Sequence, residues 1–149
     1  MKISKVTIIF VALGVFFISF VNANAGQNIG TFCWGYDNPT PKVRLKITFF
    51  DIGNNQYLCS GVEYQQNGNA KALHGSAELI NDSFVLTYTI VQTDVDATKG
   101  SFVISKHGEL VVNAATLDAS LSAIDIKKYA DGSDSIGDDY QSLKHLNCQ

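Results

Sequence analysis

The stretch "KVRLKITFFDI", residues 42–52, decides the fold class because apolar and polar side chains alternate along it. Its apolar positions are Val43, Leu45, Ile47 and Phe49. The residues between them are Arg44, Lys46 and Thr48. A period of two is that of a β-strand with one buried face, and a helix would need a period of 3.6. This stretch therefore predicts a half-buried strand.

A second stretch, "SFVLTYTIVQT" at residues 83–93, is built from β-branched and aromatic residues that suit a pleated surface. Phe84, Leu86, Tyr88 and Ile90 lie on one face of it, and valines and threonines lie on the other. Since both faces carry apolar groups, we expect a central strand.

Residues that tolerate positive φ divide the chain at Gly53–Asn55, Asn67–Asn69, Asn81–Asp82 and His107–Gly108. Each is predicted to be a tight hairpin turn. Two longer segments rich in Asp, Gly and Ser, Asp94–Gly100 and Ala130–Asp139, are predicted to be loops. About nine strands result, near residues 30–36, 42–52, 56–65, 72–80, 83–93, 101–106, 109–115, 119–128 and 140–147.

These strands predict an all-β fold, an antiparallel up-and-down β-barrel of about eight to nine strands. Long strands and hairpin connections favour the barrel over the alternative, a β-sandwich. The predicted core consists of Phe32, Trp34, Leu45, Ile47, Phe49, Val62, Phe84, Leu86, Tyr88 and Ile90.

Residues 1–25 read as a cleavable signal peptide. Lys2 and Lys5 precede the apolar run "VTIIFVALGVFFISFV", and small residues stand before a cleavage point at Ala25. Residues 26–149 are then expected to form a single all-β domain, exported to the periplasm or the extracellular space and free of the membrane after cleavage. Loss of the two lysines takes the formal charge from −3 to −5, which argues against nucleic-acid binding.

An exported chain meets an oxidising compartment, where two of its three cysteines are expected to pair. A meander separates Cys33 and Cys59 by a whole strand, whereas a closed barrel places its first and last strands side by side. The expected disulfide is therefore Cys33–Cys148. Cys59 is predicted to stay free and to lie on the less apolar face, opposite Leu58 and Val62.

No catalytic or metal-binding pattern stands out in the sequence. His74, His107 and His145 are far apart in the chain, and no serine lies in a Gly-x-Ser-x-Gly motif. The acidic run at residues 131–139 does not match a calcium loop. We expect no enzyme activity, no cofactor and no metal site.

The stretch "GTFCWGY", residues 30–36, resembles the start of the lipocalins and avidins, secreted barrels in which an early Gly and Trp close one end. Gln92–Val95 is similar to the Thr-Asp-Tyr loop of lipocalins, with valine in place of tyrosine. Three residues separate Gly30 from Trp34, whereas lipocalins have one. Trp34 is the single tryptophan, so the biotin-binding tryptophans of avidins have no counterpart. The resemblance implies a fold and no particular ligand.

The functional prediction follows from the architecture. A barrel with an aromatic inner face and no reactive set favours an exported, non-enzymatic protein that binds a small, mostly apolar molecule. The predicted lining residues are Trp34, Tyr36, Phe49, Phe84 and Tyr88. The alternative is a secreted protein-binding or inhibitor module that acts through its loops and rim.

Overall fold

The computed structural model describes residues 26–36, 42–65 and 68–148. Eight antiparallel strands follow one another in chain order around a closed barrel, with the last strand beside the first. The up-and-down barrel is confirmed, and the predicted signal peptide lies outside the described residues. The strands are β1 (Gln27–Tyr36), β2 (Lys42–Gly53), β3 (Gln56–Tyr64), β4 (Ala70–Ile80), β5 (Ser83–Asp96), β6 (Gly100–Asn113), β7 (Ala119–Tyr129) and β8 (Asp134–Leu146).

The nine predicted strands become eight because the turn predicted at His107–Gly108 is wrong. The chain continues through both residues as part of β6, paired with β5 and β7. Gly108 faces the interior, where the ring of Tyr88 packs against its Cα. Close approach of a ring, and not a turn, explains this glycine.

The two predicted loops are also shorter than expected. β5 extends to Asp96 and β6 starts at Gly100, so a three-residue turn remains between them. β8 starts at Asp134, which leaves four residues between β7 and β8. In both turns an aspartate accepts the turn's own hydrogen bonds: Asp96 from Thr98 and Lys99, and Asp131 from Ser133. The aspartates close tight turns, and a longer loop is not needed.

Other hairpin predictions are confirmed. Asn54, Asn55 and Asn81 have φ of 57°, 59° and 54°, the left-handed values that two-residue hairpins use. Gly68 has φ of 87° within the predicted Asn67–Asn69 turn, whose first residue lies outside the described residues. Asparagine tolerates this conformation, which is why the sequence located these turns.

The core fills the barrel as predicted at most positions, with Trp34, Leu45, Ile47, Phe49, Leu86, Tyr88 and Ile90 buried. Phe32 and Phe84 are partly buried and pack against it. The face predicted for β3 is wrong: Cys59 is buried inside, whereas Val62 and the exposed Leu58 lie on the outer wall. Gly61 lies between Cys59 and Glu63 on the inner face of β3, close to the backbone of Ile47. Glu63 is on the same face, so its side chain enters the barrel.

One end of the barrel is closed by Trp34, which the sequence analysis placed in the core. The indole Nε1 of Trp34 donates to the carbonyl of Leu117 at 2.7 Å, in the turn between β6 and β7. The rings of Phe32 and Phe49 pack around it, with centroids 6.2 Å from that of Trp34. This end, which we call the base, is filled with side chains.

The Cys33–Cys148 disulfide is present, with Cα atoms 5.3 Å apart, and Cys59 is free and buried. The predicted pairing and the free state of Cys59 are confirmed, whereas the face predicted for Cys59 is wrong. Burial raises the pKa of Cys59 to about 12, so its thiol is held uncharged. The part of the chain described by the structure contains no helix of the length and apolarity that a membrane crossing needs.

Candidate functional site

The end of the barrel opposite the base holds a cavity of about 620 Å³, which we call the cup. Its wall comes from the strand ends near the β1–β2, β3–β4, β5–β6 and β7–β8 connections. Buried or half-buried ionisable side chains dominate this wall, four basic and four acidic. They are Arg44, Lys71, Lys106, Lys127, Glu63, Asp94, Asp125 and Asp139.

Most of these charged residues face inward because they continue the buried phase of their strands. Lys71 stands two residues before Leu73, and Lys106 two residues after Ile104. Asp125 stands two residues after Ala123. In a strand, residues two apart share a face, so each side chain enters the barrel directly above an apolar core layer.

Arg44 enters the cup by a different route. Trp34 pairs with Leu45 and Gly35 pairs with Val43, which leaves Arg44 as the extra residue of a β-bulge. A Cβ on Gly35 would lie 1.9 Å from the carbonyl oxygen of Lys42, so the bulge requires glycine there. Bulges redirect side chains. The simple alternation in β2 placed Arg44 on the outer face, and the bulge turns it inward.

Five of the charged residues form one ion-pair network, in which the contact between Lys106 Nζ and Asp125 Oδ1 is the longest at 3.9 Å. Lys106 Nζ lies 2.8 Å from Glu63 Oε1 and 3.0 Å from Asp139 Oδ2. Arg44 contacts the same two oxygens, Glu63 Oε1 at 3.2 Å and Asp139 Oδ2 directly. Lys106 and Glu63 are more than nine-tenths buried, so the network is a fixed part of the wall.

The network shifts the ionisation of its members. Burial alone would raise the pKa of Asp139, but the hydrogen bond and charge of Lys106, with the charge of Arg44, hold that pKa below its usual value. Burial alone would lower the pKa of Arg44, and its bond to Tyr36 and the nearby carboxylates raise it instead. Both groups stay charged at neutral pH.

Three buried oxygens on the wall of the cup have no hydrogen-bond partner within the described part of the chain: Glu63 Oε2, Asp125 Oδ1 and Gln141 Oε1. A fourth, Tyr88 Oη, lies in the core and not on this wall. Buried polar groups are normally paired, because an unpaired group loses its hydration without compensation. Convergence of the first three on one cavity marks a place where a partner from outside the chain would be stabilised.

Lys71 has neither an ion pair nor a cation–π contact with any described residue. It is 4% exposed. Burial lowers the pKa of Lys71, and the charges of Asp94, Asp125 and Glu63 partly counteract that effect. A buried amine without a direct ion pair beside a cavity is the kind of group that functional sites contain.

The barrel wall beside Lys71 is split. The β4–β5 ladder runs from the pair Ile80–Ser83 to the pair His74–Thr89. Between that last pair and the cup, the described residues of β4 and β5 are not paired with each other. β4 nevertheless continues to Ala70 and β5 to Asp96. This seam leaves the upper half of β5 paired on the β6 side alone.

An apolar surface completes the wall. Phe102, Ile104 and Tyr129 form a small buried cluster, separate from the main core. Phe102 and Ile104 line the cup. The ammonium of Lys127 lies 5.4 Å from the centroid of the Phe102 ring, within cation–π range. The cup therefore combines an apolar side with a charged side.

The five predicted ligand-binding residues do not come together. Tyr36 lines the cup, and its hydroxyl accepts a hydrogen bond from Arg44 at 2.9 Å. Trp34, Phe49 and Phe84 belong to the packed core towards the base. Tyr88 is also in the core, but the unpaired hydroxyl of its side chain is influenced by the charge of Glu63.

The charged residues of the cup had a detectable signal in the sequence. Lys106 and Asp125 occupy positions of the two-residue period at which an apolar residue is expected. Lys106 was missed because the turn predicted at His107–Gly108 ended the predicted strand beside it. Asp139 was missed because it was assigned to the predicted loop at Ala130–Asp139. A continuous strand phase would have identified them.

A metal centre is not formed by the described residues. They contain no group of three or more His, Cys, Asp or Glu side chains arranged to hold a metal ion. His107 lies on the outer wall, 3.2 Å from Ser105 Oγ and 3.4 Å from Thr89 Oγ1. Comparison of the chain with protein-family models, curated proteins and solved structures gave no match, so the geometry of the cup is the basis for a functional argument.

Proposed function

We propose that this chain is an exported, non-enzymatic protein that binds a small molecule in the cup. The observation that carries the proposal is the set of unpaired buried oxygens on the wall of a 620 Å³ cavity. Cavities of about 300–1,000 Å³ are typical of small-molecule sites. The Cys33–Cys148 disulfide is consistent with an oxidising compartment.

Stability alone does not account for the charged wall. Buried ion pairs seldom stabilise a fold more than well-packed apolar side chains of similar volume do. A barrel selected for stability alone would continue the leucine and isoleucine layers up to the rim. Glu63, Lys106 and Lys71 interrupt those layers although each is more than nine-tenths buried. Recognition of a ligand would explain why these charged groups are kept in the wall despite the cost of burying them.

The wall also indicates the general character of the ligand. Phe102 and Ile104 offer apolar contact, and neither was among the predicted lining residues. The ionisable side chains around them would be left without partners by a purely apolar molecule. We therefore propose an amphipathic ligand, with an apolar part and polar groups, in place of a mostly apolar one.

A protein-binding role at the rim is the second candidate. Val91 and Val95 on the outer face of β5 are 65% and 71% exposed, next to the unpaired β4–β5 seam. Exposed β-branched residues beside an unpaired strand edge are a recognised means of binding an extended peptide. Tyr140 and Ile136, both exposed on β8, extend the outer apolar surface.

Native mass spectrometry of protein purified from its own host tests the first proposal. Val43 lines the cup, and Val43→Trp would fill it with an indole. Val103→Trp, on the outer wall of β6, is the matched control. We expect a retained small molecule in the wild type and in Val103→Trp, and its loss in Val43→Trp. An empty wild-type barrel that copurifies with one host protein would favour the second candidate.

A further inference from the structure

The unpaired oxygens of the cup call for a hydrogen-bond donor. Glu63 Oε2 is free because Oε1 takes the bonds of Lys106 and Arg44. Gln141 Oε1 is fixed as an acceptor, since the amide nitrogen of that residue donates to Asp139 Oδ1 at 2.7 Å. Asp125 Oδ1 is the third acceptor at the cavity wall; it lies 3.9 Å from the ammonium of Lys106, beyond hydrogen-bond distance. An ammonium group supplies three N–H donors and carries the charge that two carboxylates favour.

Lys71 calls for the opposite kind of group. The other buried or half-buried cations of the wall are engaged: Arg44 and Lys106 in the ion-pair network, and Lys127 over the ring of Phe102. Lys71 lies among them without an ion pair to any residue that the structure describes. A carboxylate on the ligand would satisfy its charge.

The residue that needs a donor, Glu63, and the residue that needs an anion, Lys71, are adjacent on the barrel wall. Glu63 and Lys71 are direct cross-strand partners in the β3–β4 ladder, and both side chains face inward. Side chains in such a pair start about 5 Å apart at Cβ. One small molecule with both charges on neighbouring atoms can therefore reach both residues at once.

The charge balance of the cup favours a ligand without net charge. Four basic and four acidic side chains are buried or half-buried in the wall. A simple amine would leave Lys71 without an ion pair, and a simple anion would leave the three oxygens without a hydrogen-bond donor. Burial of an uncompensated charge is costly, so each of these ligands would bind more weakly than a molecule with both groups.

We propose that the cup binds a zwitterion, a molecule with an ammonium and a carboxylate a few bonds apart, as in a free amino acid with an apolar side chain. The ammonium contacts Glu63, Asp125 and Gln141, and the carboxylate contacts Lys71. The apolar part lies against Phe102 and Ile104. This inference rests on the proposed binding function and adds the class of ligand.

Isothermal titration calorimetry with three related compounds tests the inference at pH 7. L-Phenylalanine carries both charges, N-acetyl-L-phenylalanine lacks the ammonium, and L-phenylalaninamide lacks the carboxylate. We expect the wild type to bind L-phenylalanine at least tenfold more tightly than either derivative. Lys71→Met should lose the preference over the amide and keep the preference over the N-acetyl form.

The matched control is Lys128→Met, because Lys128 is exposed on the outer wall of β7. It should bind all three compounds as the wild type does. Lys71→Met removes a buried charge that has no ion pair, so we expect it to melt no lower than the wild type, which separates lost binding from lost folding.

Two results would overturn the zwitterion inference and leave the binding function intact. One is equal binding of the three compounds, or an unchanged preference over the amide in Lys71→Met. The other is a host-derived molecule in the cup that lacks an amine or a carboxyl group. If the host-purified barrel is empty and none of the three compounds binds, both the inference and the proposed function are wrong.

Discussion

At the scale of single residues, Gly108 shows how one missing side chain shapes the interior. A Cβ at this position would lie 2.3 Å from Cζ of Tyr88, well inside contact distance. The bulky ring therefore takes the place that an ordinary residue of β6 would occupy. The unpaired hydroxyl of Tyr88 is buried there as well. Gly108 thus allows an aromatic layer to lie beneath the charged cup.

Gly108→Ala should lower the free energy of unfolding by about 2 kcal/mol, because the added methyl group overpacks the interior. Gly137→Ala in β8 is the control, since a Cβ there meets no described heavy atom within 4 Å. It should change stability by less than about 0.5 kcal/mol or raise it slightly. Urea unfolding of both variants measures the difference. Equal effects of the two substitutions would contradict the packing role of Gly108.

At the scale of elements, closure of the barrel depends on a short contact. β1 and β8 are joined by three residue pairs, from Cys33–Leu146 to Gly35–Lys144, whereas the β5–β6 ladder has fourteen. The Cys33–Cys148 disulfide lies next to this short ladder. The bridge therefore holds the first and last strands together where hydrogen bonding is least extensive.

Cys148→Ser should lower the free energy of unfolding by about 4 kcal/mol, since the bridge spans 115 residues and restricts the unfolded chain. Amide hydrogen exchange should increase first at residues 33–35 and 144–146. Cys59→Ala, which leaves the bridge intact, should cost about 1 kcal/mol and leave exchange at these residues unchanged. Exchange that increases evenly over all strands would show that the disulfide has no special role at the β1–β8 contact.

At the scale of the whole molecule, the ion pairs of the cup couple folding to pH. Lys106 and Arg44 hold the pKa of Asp139 below its value in the unfolded chain, although burial acts in the opposite direction. The unfolded chain then binds more protons than the folded one as pH falls through about 4. The contribution of Asp139 to stability is complete above that range and decreases as the pH falls below it.

We expect the free energy of unfolding to be nearly constant between about pH 5 and 7 and to fall below about pH 4. Asp139→Asn should cost about 2 kcal/mol at pH 7, because it breaks a partly buried ion pair, and should weaken the dependence on pH below 4. Asp138→Asn, on the exposed outer face, is the control. Urea unfolding across the pH series measures both effects, and an equal acid response in Asp139→Asn and the wild type would contradict this account.

The barrel could be predicted from the sequence, because period-two alternation and positive-φ turn residues are local properties. Residues 42–52 and 83–93 identified two strands, Asn54, Asn55 and Asn81 marked turns, and strand order was enough to pair Cys33 with Cys148. Trp34 was correctly placed in the core because burial of a large aromatic side chain stabilises the fold.

The inner phase of β3, the continuity of β6 and the composition of the cup depend on contacts between strands, and the sequence did not predict them. Cys59 and Glu63 face inward because they pair with the inward residues Phe49 and Leu45 of β2. Arg44 is turned inward by a bulge that involves two strands. The ion pairs join residues as far apart in the chain as Arg44 and Asp139. Burial and charge pairing across distant strands are properties of the closed barrel, so no local pattern in the sequence specifies them.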